Sequence, residues 1–301
     1  MTGPFRGTYL SHLAHVCGDQ RKVAELTGTP KELLDPLVRE IVHFRESGQD
    51  IWELAAAAAG QTLAASGARP DLVVYASEND PDVTGSLARI TDRLRLNSVN
   101  HLALAGRDCG NLAPAVEVAS ALLAGKGHRS VLLLLADRAR TGRRVMASGL
   151  SVFSDGAAAC LVTAEPTTAA RQLRLDAVAS STAVRAADSS AEATLLSTVA
   201  LAARSITAVL DEAGATRHDF AHAVLPNYRP TAQQFLMAAL KLQRERLLPG
   251  PVTEIGHCFS ADVLITLQQH LEAGTLLSGT RVLAGVSGPH TWSTLALTRI
   301  P

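Results

Sequence analysis

The run from Ser130 to Ala136, SVLLLLA, is apolar throughout and shows no polar alternation. A strand of this kind is stable only where both faces of its sheet are covered. The surrounding sequence supplies the covers. Ile51 to Gly67 is an alanine-rich helix, opened by Asp50 as N-cap and closed by Gly67. Leu72 to Tyr75 reads as a short buried strand, Ser77 to Thr84 as a polar loop and Gly85 to Leu94 as a second helix. Val99 to Ala105 is the next strand, and Leu112 to Leu123 has helical spacing up to Gly125. Beyond Ser130 to Ala136, a strand from Ala159 to Thr163 closes the first half.

Near Glu165 the composition shifts and the cycle begins again. Leu173 to Ser180 is strand-like, Thr194 to Gly214 a long helix, Ala221 to Leu225 a strand, and Thr231 to Arg246 a helix. Ala261 to Ala273 is helical, and Arg281 to Val286 and Ser293 to Thr298 are strands. The order argues for parallel α/β layers in a pseudo-duplicated chain, divided as 1–167 and 168–301. Its 301 residues, 47% hydrophobic and 19% charged, suffice for a large core.

Several function classes lose support. The 28 basic and 28 acidic residues cancel, and aromatics make up only 4%, so nothing favours nucleic acid as a partner. The longest aliphatic stretch falls far short of the ~20 residues of a membrane span. The N-terminus has no apolar h-region, and the four cysteines show neither CxxC spacing nor a disulfide framework. No metal-ligand spacing or phosphate loop appears. The expectation is a cytoplasmic protein with reduced thiols and no metal.

Cys109 stands where a strand ends and a helix begins, with Gly110 leaving room beside its sulfur. A helix N-terminus favours a thiolate, so this position predicts a lowered pKa and a usable nucleophile. The competing reading is a small buried hydrophobe, the usual state of an intracellular cysteine.

Four segments in order carry a resemblance: WELAAAAAGQTLAASGARPDLVVYASENDPD from Trp52, GRDCGNLAPAVEVASALLAG from Gly106, SVFSDGAAACLV from Ser151, and SGPHTWSTLALTR from Ser287. Together they resemble the β-ketoacyl-ACP synthase III branch of the thiolase-fold enzymes, over nearly the whole chain. The resemblance implies duplicated βαβαβαββ halves in a five-layered αβαβα sandwich, a homodimer, and acyl transfer through a cysteine thioester. The donor would be an acyl carrier protein or CoA thioester, with no further cofactor.

The pattern breaks where the synthases carry a histidine and an asparagine. The matching segments are LPNYR from Leu225 and IGHCFSAD from Ile255, which put Asn227 at the histidine position and His257 at the asparagine position. Those two residues jointly stabilise a malonyl-derived enolate in the synthases, so condensation is in doubt. On a regular helix His257 and Asp262 would diverge; with His257 in the loop and Asp262 in the first helical turn, the carboxylate can fold back onto the imidazole. Cys109, His257 and Asp262 then form a triad. This arrangement resembles a sub-branch, found in antibiotic biosynthesis, that moves an acyl group onto a small-molecule hydroxyl or amine. Asp262 can also be read as a helix-start residue alone, and Asn227 either as a thioester contact or as a polar turn residue. In the glycine-rich segment of the family only Gly288 remains; Pro289 has no N–H, so the oxyanion hole falls to the amides of Cys109 and Gly288. Arg138, Arg140, Arg143 and Arg144 can grip a CoA phosphate or a carrier protein, or form a solvated loop. Asp155, Cys17, Cys160 and Cys258 are read as structural. A decarboxylative condensing enzyme and a silent scaffold or partner subunit are the alternatives.

Overall fold

The computed structural model describes residues 7–184 and 191–301. The first half runs β1 (Tyr9–Cys17), β2 (Asp19–Lys22), α1 (Lys31–Val38), β3 (His43–Glu46), α2 (Ile51–Ser66), β4 (Leu72–Ala76), α3 (Val83–Arg93), β5 (Asn100–Leu104), α4 (Leu112–Lys126), β6 (Ser130–Asp137) and β7 (Gly156–Thr163). The second runs β8 (Gln172–Thr182), α5 (Ala191–Ala213), β9 (His222–Val224), α6 (Pro230–Ala239), α7 (Val252–Ile255), α8 (Asp262–Glu272), β10 (Arg281–Gly288) and β11 (Thr291–Ile300). β1 meets both β7 and β8, which joins the two sheets into one strand order, β5-β4-β6-β7-β1-β8-β11-β10-β9.

Five layers follow from which side chains share a core. Val131, Leu133 and Leu135 of β6 face α4 and α8, together with Val282, Ala284 and Val286 of β10. Leu132 and Leu134 point the other way, onto α2 and α3. Leu283 and Trp292 face outward from the second sheet, onto α5 and α6. The layers are thus α2/α3, first sheet, α4/α8, second sheet and α5/α6. An apolar run such as β6 is what a strand buried on both sides requires. Helix α2 starts with a capping box between Asp50 and Glu53 and ends at Gly67 in the left-handed region.

The sheets are mixed, which corrects the expectation of parallel layers. Among the named strands, β5-β4-β6 and β9-β10 pair in parallel; β7, β1, β8 and β11 run antiparallel to their neighbours. The helix expected over 231–246 ends at Ala239, where Lys241 takes φ +57°. The chain then extends, and Leu247 bridges Ala223 in parallel, a one-residue counterpart of β5. Apolar residues at 240, 242 and 247 mimic a helical repeat, but they join the outer core from an irregular segment that includes a 3-10 turn at Arg244–Arg246. No helix of the described residues is long and apolar enough to cross a membrane.

Candidate active site

Cys109 lies in a single 3-10 turn, Asp108–Gly110, that feeds α4. Asp108 opens it at φ +52°, a conformation that costs a non-glycine residue energy and has to be held by its surroundings. The holding bonds come from three directions. Glu78 Oε2 accepts from the amides of Gly106 and Asp108, Asn111 Nδ2 donates to the Asp108 carbonyl, and Ser260 Oγ donates to the same carbonyl at 3.1 Å. The Asn111 amide in turn donates to Ser260 Oγ.

The thiol is not activated by its position, contrary to the expectation from the helix N-terminus. Cys109 is buried, and its Sγ–H donates to Asp108 Oδ1 at 3.2 Å. Burial first, and then the neighbouring Asp108 carboxylate, push the thiol well above its ordinary range. One 3-10 turn's dipole does not offset that, so a base must take the proton during reaction.

His257 and Asp262 do meet. His257 sits ahead of a second 3-10 turn, Phe259–Ala261, and Asp262 is the first residue of α8. His257 Nδ1 hydrogen-bonds Asp262 Oδ2, both side chains buried. The same carboxylate accepts from the Asn227 amide and the Cys258 amide, both at 2.7 Å. An ionised carboxylate only accepts, so it fixes the proton on Nδ1 and leaves the lone pair on Nε2. That Nε2 is buried without a partner among the described residues. Asp262 therefore caps the turn and orients the ring at once.

A cavity of about 330 Å³ opens over Cys109, lined by Asp108, Met146, Leu150, Phe153, Tyr228 and Gly288 among others. The imidazole stands one ring behind this wall. Its centroid is 5.6 Å from Phe153 and 5.8 Å from Tyr228, and Phe259 completes an aromatic cage. The Tyr228 phenol hydrogen-bonds Ser287, and burial raises its pKa. Gly288 presses on the cysteine turn: a Cβ there would lie 2.2 Å from the Arg107 carbonyl oxygen. Its amide nitrogen is 3.3 Å from where a Cβ of Gly110 would stand, which brings the two candidate oxyanion donors to one corner.

No family model matches the chain, and no curated protein matches it in sequence. Solved structures do. The 3-oxoacyl-(acyl carrier protein) synthase III of Pseudomonas aeruginosa PAO1 superposes with a TM-score of 0.79 at 23% identity, covering 98% of this chain and 99% of that one. The synthase III of Aquifex aeolicus VF5 gives 0.81 at 16% identity, over 97% and 100%. The acyltransferase ChlB3 gives 0.81 at 20% identity, over 98% of each. This is the thiolase fold.

Within that fold the remaining candidates separate. The Asn227 side chain does not line the cavity; its Oδ1 would lie 2.0 Å from a Cβ on Gly250, and its side-chain Nδ2 and Oδ1 are buried without partners among the described residues. Tyr228 takes the wall position instead. The four arginines do not form one free patch. Arg144 clamps Asp155 with two bonds and reaches Glu46, and Arg138 donates to the Ser47 carbonyl and pairs with Asp155 at 3.5 Å. Arg140 and Arg143 border a smaller cavity beside Asp108 and Phe259. Asp155 is fully buried and also accepts from the amides of Ser47 and Ala139, as a structural anchor does. Cys258 Sγ lies 3.9 Å from Cys17 Sγ, and Cys160 is buried in the central core. Asp108, Phe153 and Tyr228 were missed from sequence. A φ above zero and the side of a turn that a ring occupies leave no pattern in residue spacing. No group of three or more His, Cys, Asp or Glu among the described residues is placed to hold a metal ion.

Proposed function

We propose that this chain is an acyltransferase that works through a Cys109 thioester. The observation that carries the reading is the buried His257–Asp262 pair behind the wall of the cysteine cavity. It supplies an oriented base, whereas condensation needs two neutral donors aimed at one thioester carbonyl, and the Asn227 side chain is packed against Gly250.

The cycle runs in two halves. His257 Nε2 takes the Cys109 proton, and Sγ attacks the carbonyl of a carrier-protein or CoA thioester. The amides of Cys109 and Gly288 hold the oxyanion, and the departing thiol takes the proton from His257. A hydroxyl or amine of a small molecule then gives its proton to Nε2 and attacks the acyl-cysteine; Sγ leaves and regains the proton. Asp262 stabilises the imidazolium each time. Arg140 and Arg143 are suited to the phosphates of the donor. The cavity, at about 330 Å³ with mostly apolar walls, fits a modest acyl group. A homodimer, a cytoplasmic setting and a role in secondary-metabolite biosynthesis belong to the same reading.

Intact-mass spectrometry tests it. Incubation with carrier-bound aryl and short aliphatic acyl donors should add one acyl mass to the wild type and none to Cys109→Ala. Carbon dioxide and a β-keto product from acylated enzyme and malonyl thioester would establish condensation instead. No adduct from any donor would favour a silent partner subunit.

A further inference from the structure

Asp108 touches the nucleophile, yet the transfer cycle gives it no task. Its carboxylate accepts the Cys109 Sγ–H at 3.2 Å, and its backbone is held at φ +52° by Glu78, Asn111 and Ser260. A geometry that needs three neighbours to maintain it points to a side chain whose position matters. Asp108 lines the main cavity, and the rest of that wall is uncharged among the described residues: Met146, Ala147, Leu150, Phe153, Tyr228 and Pro289 give its apolar part.

Asp108 is thus the one charged side chain lining the cavity among the described residues. No basic group of the described residues forms an ion pair with it. Arg144 and Arg138 are held by Asp155, and Arg140 Nε donates to Asn79 Oδ1. Glu78, Arg140 and Arg143 line a second, smaller cavity together with Asp108.

We propose that Asp108 determines specificity as a fixed negative charge beside the nucleophile, keeping carboxylate-bearing acyl groups off Cys109 and admitting neutral or cationic ones. The proposal rests on the acyl-transfer reading and narrows its donor class. A dicarboxylic acyl group on Sγ would bring its free carboxylate within roughly 8 Å of Asp108; at an effective dielectric of about 20 this repulsion slows loading by about tenfold to a hundredfold. The same charge opposes a malonyl unit approaching an acylated Cys109, so it acts against condensation as well.

The test compares Cys109 acylation by butyryl and succinyl thioesters of N-acetylcysteamine, equal in chain length and different in charge, read by intact mass over time. Asn tolerates the left-handed backbone and keeps an acceptor for Sγ–H, so Asp108→Asn preserves the turn. The wild type should favour butyryl, and Asp108→Asn should shrink the butyryl-to-succinyl rate ratio at least tenfold. Asp108→Glu, which keeps the charge, should retain most of the preference. Adducts with the same ratio in wild type and Asp108→Asn overturn the charge filter alone. No adduct from either thioester in any of the three proteins overturns the acyl-transfer reading, and the filter with it.

Discussion

In the first half of the chain, α4 is entered through a 3-10 turn opened by Asp108 at φ +52°; in the second, α8 is entered through one opened by Phe259 at the same angle. Behind the first turn, Asn111 Oδ1 accepts from the Arg107 amide at 3.2 Å. Behind the second, Asp262 Oδ1 accepts from the Cys258 amide at 2.7 Å. The sheets agree too: β5-β4-β6-β7-β1 in one half matches the Leu247 bridge, β9, β10, β11 and β8 in the other. The corners differ in where the charge sits. Asn111 is a neutral cap whose Nδ2 reaches a carboxylate on another loop, Glu78. Asp262 is itself the carboxylate, and its second oxygen takes the imidazole. A duplicated backbone can therefore provide two matching helix entrances, while one atom in a capping side chain decides which of them holds an imidazole.

Making the second corner resemble the first should have the largest effect. Asp262→Asn removes the charge that fixes the His257 tautomer, and acyl transfer should fall about 10³- to 10⁴-fold, as for triad carboxylates generally. Single-turnover transfer from pre-acylated enzyme measures this, with circular dichroism to confirm the fold; a loss below tenfold would leave Asp262 as a cap only. Unlinking the corners should cost less. Ser260→Ala removes one acceptor for the Asn111 amide, at a buried position, and one donor to the Asp108 carbonyl, at a half-buried one. Urea unfolding should show a loss of about 1–3 kcal/mol, and an unchanged midpoint would mean that the turns stand independently.

The smallest effect concerns the strand ends. Asp137 closes β6 opposite Gly156, as Gly288 closes β10 opposite Thr291. Burial pushes the Asp137 carboxyl up to about 7, although bonds from the Asn79 and Glu78 amides and Ser77 pull it down. The folded state thus binds this proton more tightly than the unfolded chain. The stability it contributes is complete below pH about 4 and is lost as the pH rises through about 7. Thermal melts across that range should show the wild-type Tm declining and Asp137→Asn declining less; parallel curves would remove Asp137 from the account.

Much of this was legible in the residues. Asp50, Glu53 and Gly67 delimit α2, and the uninterrupted β6 implies cover on both faces. The spacing of His257 and Asp262 permits their contact only across a loop-to-helix boundary, which is where the chain places them. The first fifty residues carry no such signal. β1 is bulged between Ser11 and Ala14, with His12 at φ +51°, so its apolar side chains do not alternate. The thiol's acidity was misjudged for a physical reason: spacing reports a helix end, but not burial or the direction of the Asp108 carboxylate. Asn227 gave way to Tyr228 on the wall because a turn after β9 points neighbouring side chains to opposite sides.

Asp155 receives the amide of Ala139 at the start of the segment 138–155 and stands itself at that segment's end, with Arg144 bonded to it from within. The loop that carries Met146, Leu150 and Phe153 to the cavity is drawn shut like a purse string on one buried carboxylate. Its middle can change residues, and with them the shape of the chamber, while its two ends stay fixed in the sheet. Such a wall separates the shape of the chamber from the strength of the hinge points that hold it.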